Sequence, residues 1–259
     1  MNRAERKRQA KEDERKLTAG IDPETRDPEP TAAMARQLHT LFATARRERF
    51  IDPPVKYFHA KIDATLKAGP SLPIACAKGC SHCCHAWVSA TAPEVLYIAK
   101  RIRRVSGAGV VARVQAAQLA TRDYDFVMRS QHPQPCPMLE NDLCTAYESR
   151  PGACRFASSA DANACLRALR QLSGGTIPTP VRHMKARGVY EIAMVIALHQ
   201  AGLPHRYYEL NDALTRALSR DDAEAAWLNG EDIFAGARLD PNDALAFETT
   251  RLMYRQAFG

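Results

Sequence analysis

The sequence predicts a mainly α fold, an irregular helical domain around a cysteine-rich metal-binding loop core. Three observations predict it. Apolar residues recur at helical spacing in several segments, no stretch alternates apolar and polar as a half-buried strand would, and eight cysteines fall in two short groups separated by helical patterns. At 259 residues with 46% apolar and 25% charged side chains, the chain is long enough to bury a core without disulfides. Smallness therefore does not explain the cysteines.

The elements read as follows. Residues 1–30 mix both charge signs, carry Pro23, Pro28 and Pro30 and lack apolar periodicity, so they read as a mobile charged tail. Residues 31–259 read as one helical domain, with a cysteine-cluster core over 70–170 and a C-terminal helical extension over 171–259. A helix is expected over Thr31–Arg49, and a second opens with Pro53 and Pro54, whose missing amide hydrogens cost nothing in a first turn. Gly69 and Pro70 end that helix. Thr91-Ala-Pro-Glu94 is a capping box, so a helix should run from Ala92 to Arg104; Ser106-Gly-Ala-Gly109 breaks it, and Val110–Arg122 resumes.

Pro133, Pro135 and Pro137 forbid regular helix around Cys136 and predict a pinned loop. Asp161 caps a short helix to Leu172 that carries Cys165. Val189, Ile192, Ala193 and Ile196 repeat at helical spacing with apolar residues on the other faces, which marks a buried spine. Helices are expected over Tyr207–Leu218 and Asp221–Leu228, with a last one from Asp240-Pro241 to near Phe258.

Charge and hydropathy narrow the setting. The longest apolar run, Ile192–Leu198, is seven residues and cannot cross a bilayer, and MNRAERKRQAKEDERK offers no apolar signal segment, so a cytoplasmic location and no membrane partner are expected. Residues 1–30 are neutral, 31–181 carry +9 and 182–259 carry −2, so the positive excess lies with the cysteines. A divalent metal in four thiolates is formally −2, and two such sites would lower +9 to +5. Part of the basicity then compensates the sites. The densest basic run, Lys100, Arg101, Arg103 and Arg104, reads as a solvated helix face, and no C-x-x-C repeated at finger spacing points to nucleic acid.

In a reducing compartment clustered thiols bind metal or do redox chemistry. Cys76, Cys80, Cys83 and Cys84 lie in CAKGCSHCC, and Cys136, Cys144, Cys154 and Cys165 follow within thirty residues. Gly79 supplies the backbone angles that let a tight turn aim several sulfurs at one point. Cys84 follows Cys83 directly, and adjacent side chains diverge, so Cys84 invites a second site. All eight thiols are metal-ligand candidates, divided into two sets of four or one cluster with spare ligands. His82 and His85 flank the group and read as supporting or exposed residues. Inert packing is a real alternative for Cys165 alone.

CAKGCSHCC followed by CPMLENDLCTAYESRPGACRF resembles the YkgJ family of cysteine-cluster proteins, whose shared part is a zinc- or iron-chelating domain. The family pattern is met by Cys76, Cys80, Cys83 and Cys84, then Cys136, Pro137 and Leu139, then Cys144, Tyr147, Arg150, Pro151, Cys154 and Arg155. The resemblance covers about Cys76 to Arg155 and implies metal chelation without specifying an activity. Arg150 and Arg155 bracket two thiolates and are read as neutralising them, Pro151 as fixing a turn and Tyr147 as packing with its hydroxyl tied to backbone.

Two functions are carried forward: an iron–sulfur protein acting in electron transfer or as an oxidoreductase component with a protein redox partner, and a structural zinc protein presenting a partner-binding surface. The C-x-x-x-C-x-x-C spacing also suits radical S-adenosylmethionine enzymes, but the strand pattern of their barrel is missing. No phosphate loop, H-E-x-x-H or G-x-S-x-G motif appears, and no catalytic residue is nominated.

Overall fold

The computed structural model describes Glu5, Arg8 and residues 29–68, 73–171 and 176–241. Most of the tail, the Gly69-Pro70 stop and the helix expected beyond Pro241 lie outside the described residues. The fold is mainly α, as the periodicity predicts.

Helix α1 (Glu29–Glu48) buries Ala35, Leu38, Phe42 and Ala45 along one stripe, the spacing of a single helical face. Helix α2 (Asp52–Lys67) has its prolines in the first turn and buries Val55, Phe58 and Ile62. Both pack on the spine, α8 (Val181–Gln200), whose Ala193–Leu198 run is buried on every side. Arg46 ties the ends together: its guanidinium donates to the carbonyls of Ala201 at 2.7 Å and Leu228 at 3.1 Å, which the ends of two helices leave without intrahelical donors.

Thr91 and Glu94 form the expected capping box at the start of α3 (Ala92–Arg101). The expected break after Arg104 is absent. The chain passes through a π-helical turn at Ile102–Ser106 straight into α4 (Gly107–Thr121). A wider turn rephases a helix without ending it, so glycines that would stop an isolated helix are tolerated inside this one. The basic run is split: Arg101 and Arg104 are exposed, as a solvated face predicts, whereas Lys100 Nζ pairs with Asp52 at 2.8 Å and Glu224 at 3.1 Å, and Arg103 donates to the Ala217 and Leu218 carbonyls.

A short helix α5 (Phe126–Gln131), capped by Asp125, precedes the proline-rich loop. Strands β2 (Leu139–Glu140) and β3 (Leu143–Cys144) then form a tight hairpin. Two further short helices follow, α6 (Gly152–Phe156) and α7 (Ala162–Gln171). The helix expected from Tyr207 begins three residues later: Tyr207–Glu209 form β4, antiparallel to β1 (Ser89–Thr91) with Ala90 opposite Tyr208, and α9 (Leu210–Leu218) follows. Paired tyrosines fit a pleated strand once a partner is at hand, which the local sequence does not reveal. Helix α10 (Ala223–Leu228) is the last helix among the described residues and seats Trp227 edge-on against Phe42. Among the described residues the strands form two two-stranded antiparallel ladders, unlike a barrel, and no helix is long and apolar enough to cross a membrane.

Candidate metal centre

Four local devices carry the eight thiols. In the first, Gly79 sits at φ +85°, the left-handed region, and the amide of Cys80 closes the turn on the Ala77 carbonyl at 3.0 Å. The chain then makes one 3-10 turn over His82–His85, which carries the adjacent Cys83 and Cys84.

The second device is the loop Pro133–Pro137. Prolines cannot donate backbone hydrogen bonds, so the loop is held through other groups. The amide of Cys136 donates to the Cys84 carbonyl at 2.7 Å, stitching the two cysteine groups together across 52 residues of chain. Arg113 Nε donates to the Pro137 carbonyl at 3.0 Å, and Arg129 Nη2 donates to the Gln134 carbonyl at 2.8 Å.

The third device is the hairpin that returns Cys144 opposite Leu139. Its two turn residues, Asn141 and Asp142, have φ +49° and +60°, the double left-handed geometry whose twist matches the flanking strands. Asp142 also accepts a hydrogen bond from the Ser81 hydroxyl at 2.6 Å, which ties the turn to the first cysteine group.

The fourth is the Arg150-Pro-Gly-Ala-Cys154-Arg155 segment. Pro151 starts α6, and its carbonyl accepts from the amides of Cys154 and Arg155. Beyond it, the amide of Ser159 donates to the Cys76 sulfur at 3.4 Å, and Asp161 caps α7 by accepting from the Asn163 amide at 2.8 Å. Helix α7 packs on the His82–His85 turn, carrying Cys165 to the first group.

The result is two neighbourhoods meeting at Cys83. Cys76 lies within electrostatic reach of Cys80, Cys83 and Cys165. Cys84 lies in reach of Cys83, Cys136 and Cys154, and Cys154 in turn of Cys136, Cys83 and Cys144. Cys165, for which packing was an alternative, thus sits with the early thiols. All eight cysteines are free thiols, Cys76 and Cys83 exposed and the other six half-buried. Among the described residues, no three His, Cys, Asp or Glu side chains are drawn into a closed metal-binding group. The thiols share a neighbourhood rather than a finished coordination shell.

The neighbourhoods differ electrostatically. Cys83 and Cys84 share one hydrogen bond between sulfurs, so one thiolate forms readily and the second with difficulty. Cys83 is held down to about 6 by that bond, whereas the same bond and then burial push Cys84 up. Burial pushes Cys136 up to about 11 and raises Cys154 and Cys144 as well. Left to themselves, these buried thiols stay protonated; a cation replacing the protons reverses that preference.

Of the motif's non-cysteine residues, Arg150 meets its expectation: it lies in electrostatic reach of Cys83, Cys144 and Cys154. Arg155 does not. Its guanidinium pairs with Asp63 at 2.6 Å and donates to the carbonyls of Glu148 and Arg150, so it holds the motif's backbone instead of its sulfurs. A fork of donors inside a tight turn finds carbonyls closer than thiolates. Tyr147 is 56% exposed, with the Arg150 guanidinium stacked 4.1 Å from its ring centre, and is not a packed residue. His85 Nδ1 lies 3.2 Å from the Ser81 carbonyl, a supporting contact.

Sequence reasoning passes over two residues that the fold places here. Arg129, seven residues before Cys136 and outside the motif, is 3% exposed and lies in electrostatic reach of Cys136. Glu94, read only as a helix cap, also accepts the amide of Gly152 at 2.7 Å and so holds the start of the helix that carries Cys154. Its capping-box role hides the second one, and no sequence signal announces it.

No curated protein and no solved structure matches the chain. One family model does, over residues 75–171: CxxCxxCC, described as a "putative zinc- or iron-chelating domain". That span starts just before Cys76, ends with α7, and contains all eight cysteines. With zinc or iron as the chelated metal in that description, the segment from 75 to 171 matches the model of the YkgJ-type family of cysteine-cluster domains.

Proposed function

We propose that the eight thiols bind metal in two sets, Cys76, Cys80 and Cys165 on one side and Cys84, Cys136, Cys144 and Cys154 on the other, with Cys83 completing or bridging them. In this reading the protein is an iron–sulfur component of an electron-transfer chain working with a protein redox partner. The observation that supports it most is the meeting of two sequence-distant thiol groups around Cys83–Cys84, with no carboxylate among the donors. An all-sulfur donor set suits zinc and iron–sulfur clusters and disfavours magnesium, calcium or manganese.

When bound, an iron–sulfur cluster supplies one-electron chemistry. The chain supplies the rest. Cys84, Cys136, Cys144 and Cys154 are half-buried, less open than Cys76 and Cys83, and Arg150 places a positive charge beside them. The exposure of Cys76 and Cys83 leaves the first set open to a partner. No side chain here is assigned acid–base work.

A structural zinc protein is the second reading. The backbone stitch from Cys136 to Cys84 and the hairpin tie to Ser81 favour it, because structural sites clamp loops together. Purification without oxygen, elemental analysis and absorption spectroscopy decide between the two. Iron with inorganic sulfide and a brown colour that bleaches on reduction is the expected result. Colourless protein with stoichiometric zinc establishes the second reading, and protein that binds neither metal overturns both.

A further inference from the structure

Arg129 is a buried cation whose hydrogen-bonding capacity is mostly unspent. It is 3% exposed, its Nη2 donates to Gln134 at 2.8 Å, and its Nε and Nη1 are buried with no partner. Leaving two nitrogens of a guanidinium unsatisfied away from water is costly, and native chains rarely do so without something that uses them. The nearest carboxylate in electrostatic reach is Glu209, but it is occupied: its Oε2 accepts from Arg238 Nη2 at 2.7 Å and from the Asp212 amide at 2.8 Å. Cys136, two residues beyond the carbonyl that Arg129 holds, and Tyr124 are the other acidic groups in reach, and Cys136 is the one that binding a metal would turn into an anion.

A second guanidinium repeats the pattern. Arg150 has a buried, unpartnered Nε and lies in electrostatic reach of Cys83, Cys144 and Cys154. Two arginines from different segments therefore carry spare donors beside different members of one thiol group, Arg150 from the family motif beside Cys83, Cys144 and Cys154, and Arg129 from a helix before it beside Cys136. A metal held by four thiolates is a net anion, so its protein surroundings gain from fixed positive charge and from N–H groups that donate to sulfur.

We infer that Arg129 is the built-in counter-charge of the Cys84–Cys136–Cys144–Cys154 set at its Cys136 side, a positioning residue whose spare Nε and Nη1 donors complete their hydrogen bonds only when that set is anionic and metal-bound. The inference rests on the metal-binding reading above. It carries a signature that an ordinary structural arginine lacks. In the metal-free chain the guanidinium is a buried charge with orphaned donors, so replacing it by an apolar side chain of similar length relieves a cost. In the metal-bound chain the same replacement removes the charge that balances the site. The two forms should respond with opposite sign.

The test uses Arg129→Met and Arg129→Lys in the full chain, each loaded with zinc and then stripped by a chelator. Expected for Arg129→Met are a metal-free melting temperature equal to or above the wild type's, and zinc release into the chelator faster by about 10- to 100-fold. Lys keeps the charge but not the fork and should recover part of the slower release. Equal loss of melting temperature in metal-free and zinc-loaded Arg129→Met, or unchanged zinc release, overturns the inference while leaving the metal reading intact. A wild-type chain that takes up neither zinc nor iron overturns the metal reading, and this inference with it.

Discussion

The Gly152 amide donates to Glu94 Oε1 at 2.7 Å, so a carboxylate that caps one helix also holds the start of another. Glu94 Oε2 meanwhile accepts from the Thr91 amide at 3.0 Å and the Thr91 hydroxyl at 2.7 Å. One buried side chain thus fixes β1, α3 and α6 together, and α6 carries Cys154. The junction also explains the glycine: a Cβ at position 152 would come within 3.4 Å of both Glu94 Oε1 and the Phe58 ring and within 3.5 Å of Ile62.

Replacing Glu94 by Gln keeps the shape but turns an acceptor into a group that must also place two donors among three existing ones. Glu94→Gln should cost about 2–3 kcal/mol in chemical denaturation, the scale of hydrogen bonds to a buried charge. It should also loosen metal binding through Cys154, read as a faster loss of metal to a chelator. A variant as stable as wild type would show that the carboxylate's charge is not what holds the junction.

His59 sets an acid limit. Burial holds its imidazole below the ordinary histidine value, and its Nε2 lies 3.8 Å from Glu94 Oε1, beyond hydrogen-bond length. The unfolded chain therefore takes up a proton at about 6.5 while the folded chain does not, so stability falls as pH drops from about 6.5 through the lower folded value, by up to about 1.4 kcal/mol per pH unit. Desolvation raises Glu94, but the neighbouring His59 and then the donating amides of Gly152 and Thr91 outweigh it and hold the carboxyl below the ordinary value, which adds a further loss below about 4.5. Stability measured from pH 8 to 5 in metal-free wild type and His59→Gln isolates the histidine, since the thiols contribute to both. The wild type should lose more than the variant below pH 6.5; parallel curves would show that His59 titrates normally.

The hairpin turn offers a separable test. Asp142 holds a left-handed backbone and also accepts from Ser81. Asp142→Ala should cost about 1–2 kcal/mol for the backbone geometry in addition to the lost hydrogen bond, whereas Asp142→Gly should lose only the bond. Denaturation midpoints of the two variants measure the difference. Equal destabilisation would mean that the turn geometry carries none of the effect.

How far the sequence reveals this molecule depends on whether the signal is local. The capping box at Thr91–Glu94, the prolines opening α2, the apolar stripe of α8 and the Asp161 cap each act within one turn of chain, and the structure carries all four. What the sequence hides is set by partners far along the chain: β4 exists because β1 lies beside it, and Arg155 turns away from sulfur because Asp63 is within 2.6 Å. The hairpin was nominally readable, since Asn141-Asp142 lies between two short apolar-containing pairs, but two-residue strands are too short for alternation to show. In the metal centre, residue type and spacing single out the cysteines, while Arg129 and Glu94 matter through burial and unspent or shared hydrogen bonds, quantities that spacing does not encode.

The pairing of β1 with β4 bears on how this protein should be handled. Cutting the chain after Gln171 would strip Ser89–Thr91 of its neighbour, uncover Ala90, and remove the spine on which α1, α2 and α6 rest. The family segment is thus not a portable cassette: its walls are supplied by residues beyond its own borders, and grafting or excision has to take those walls along.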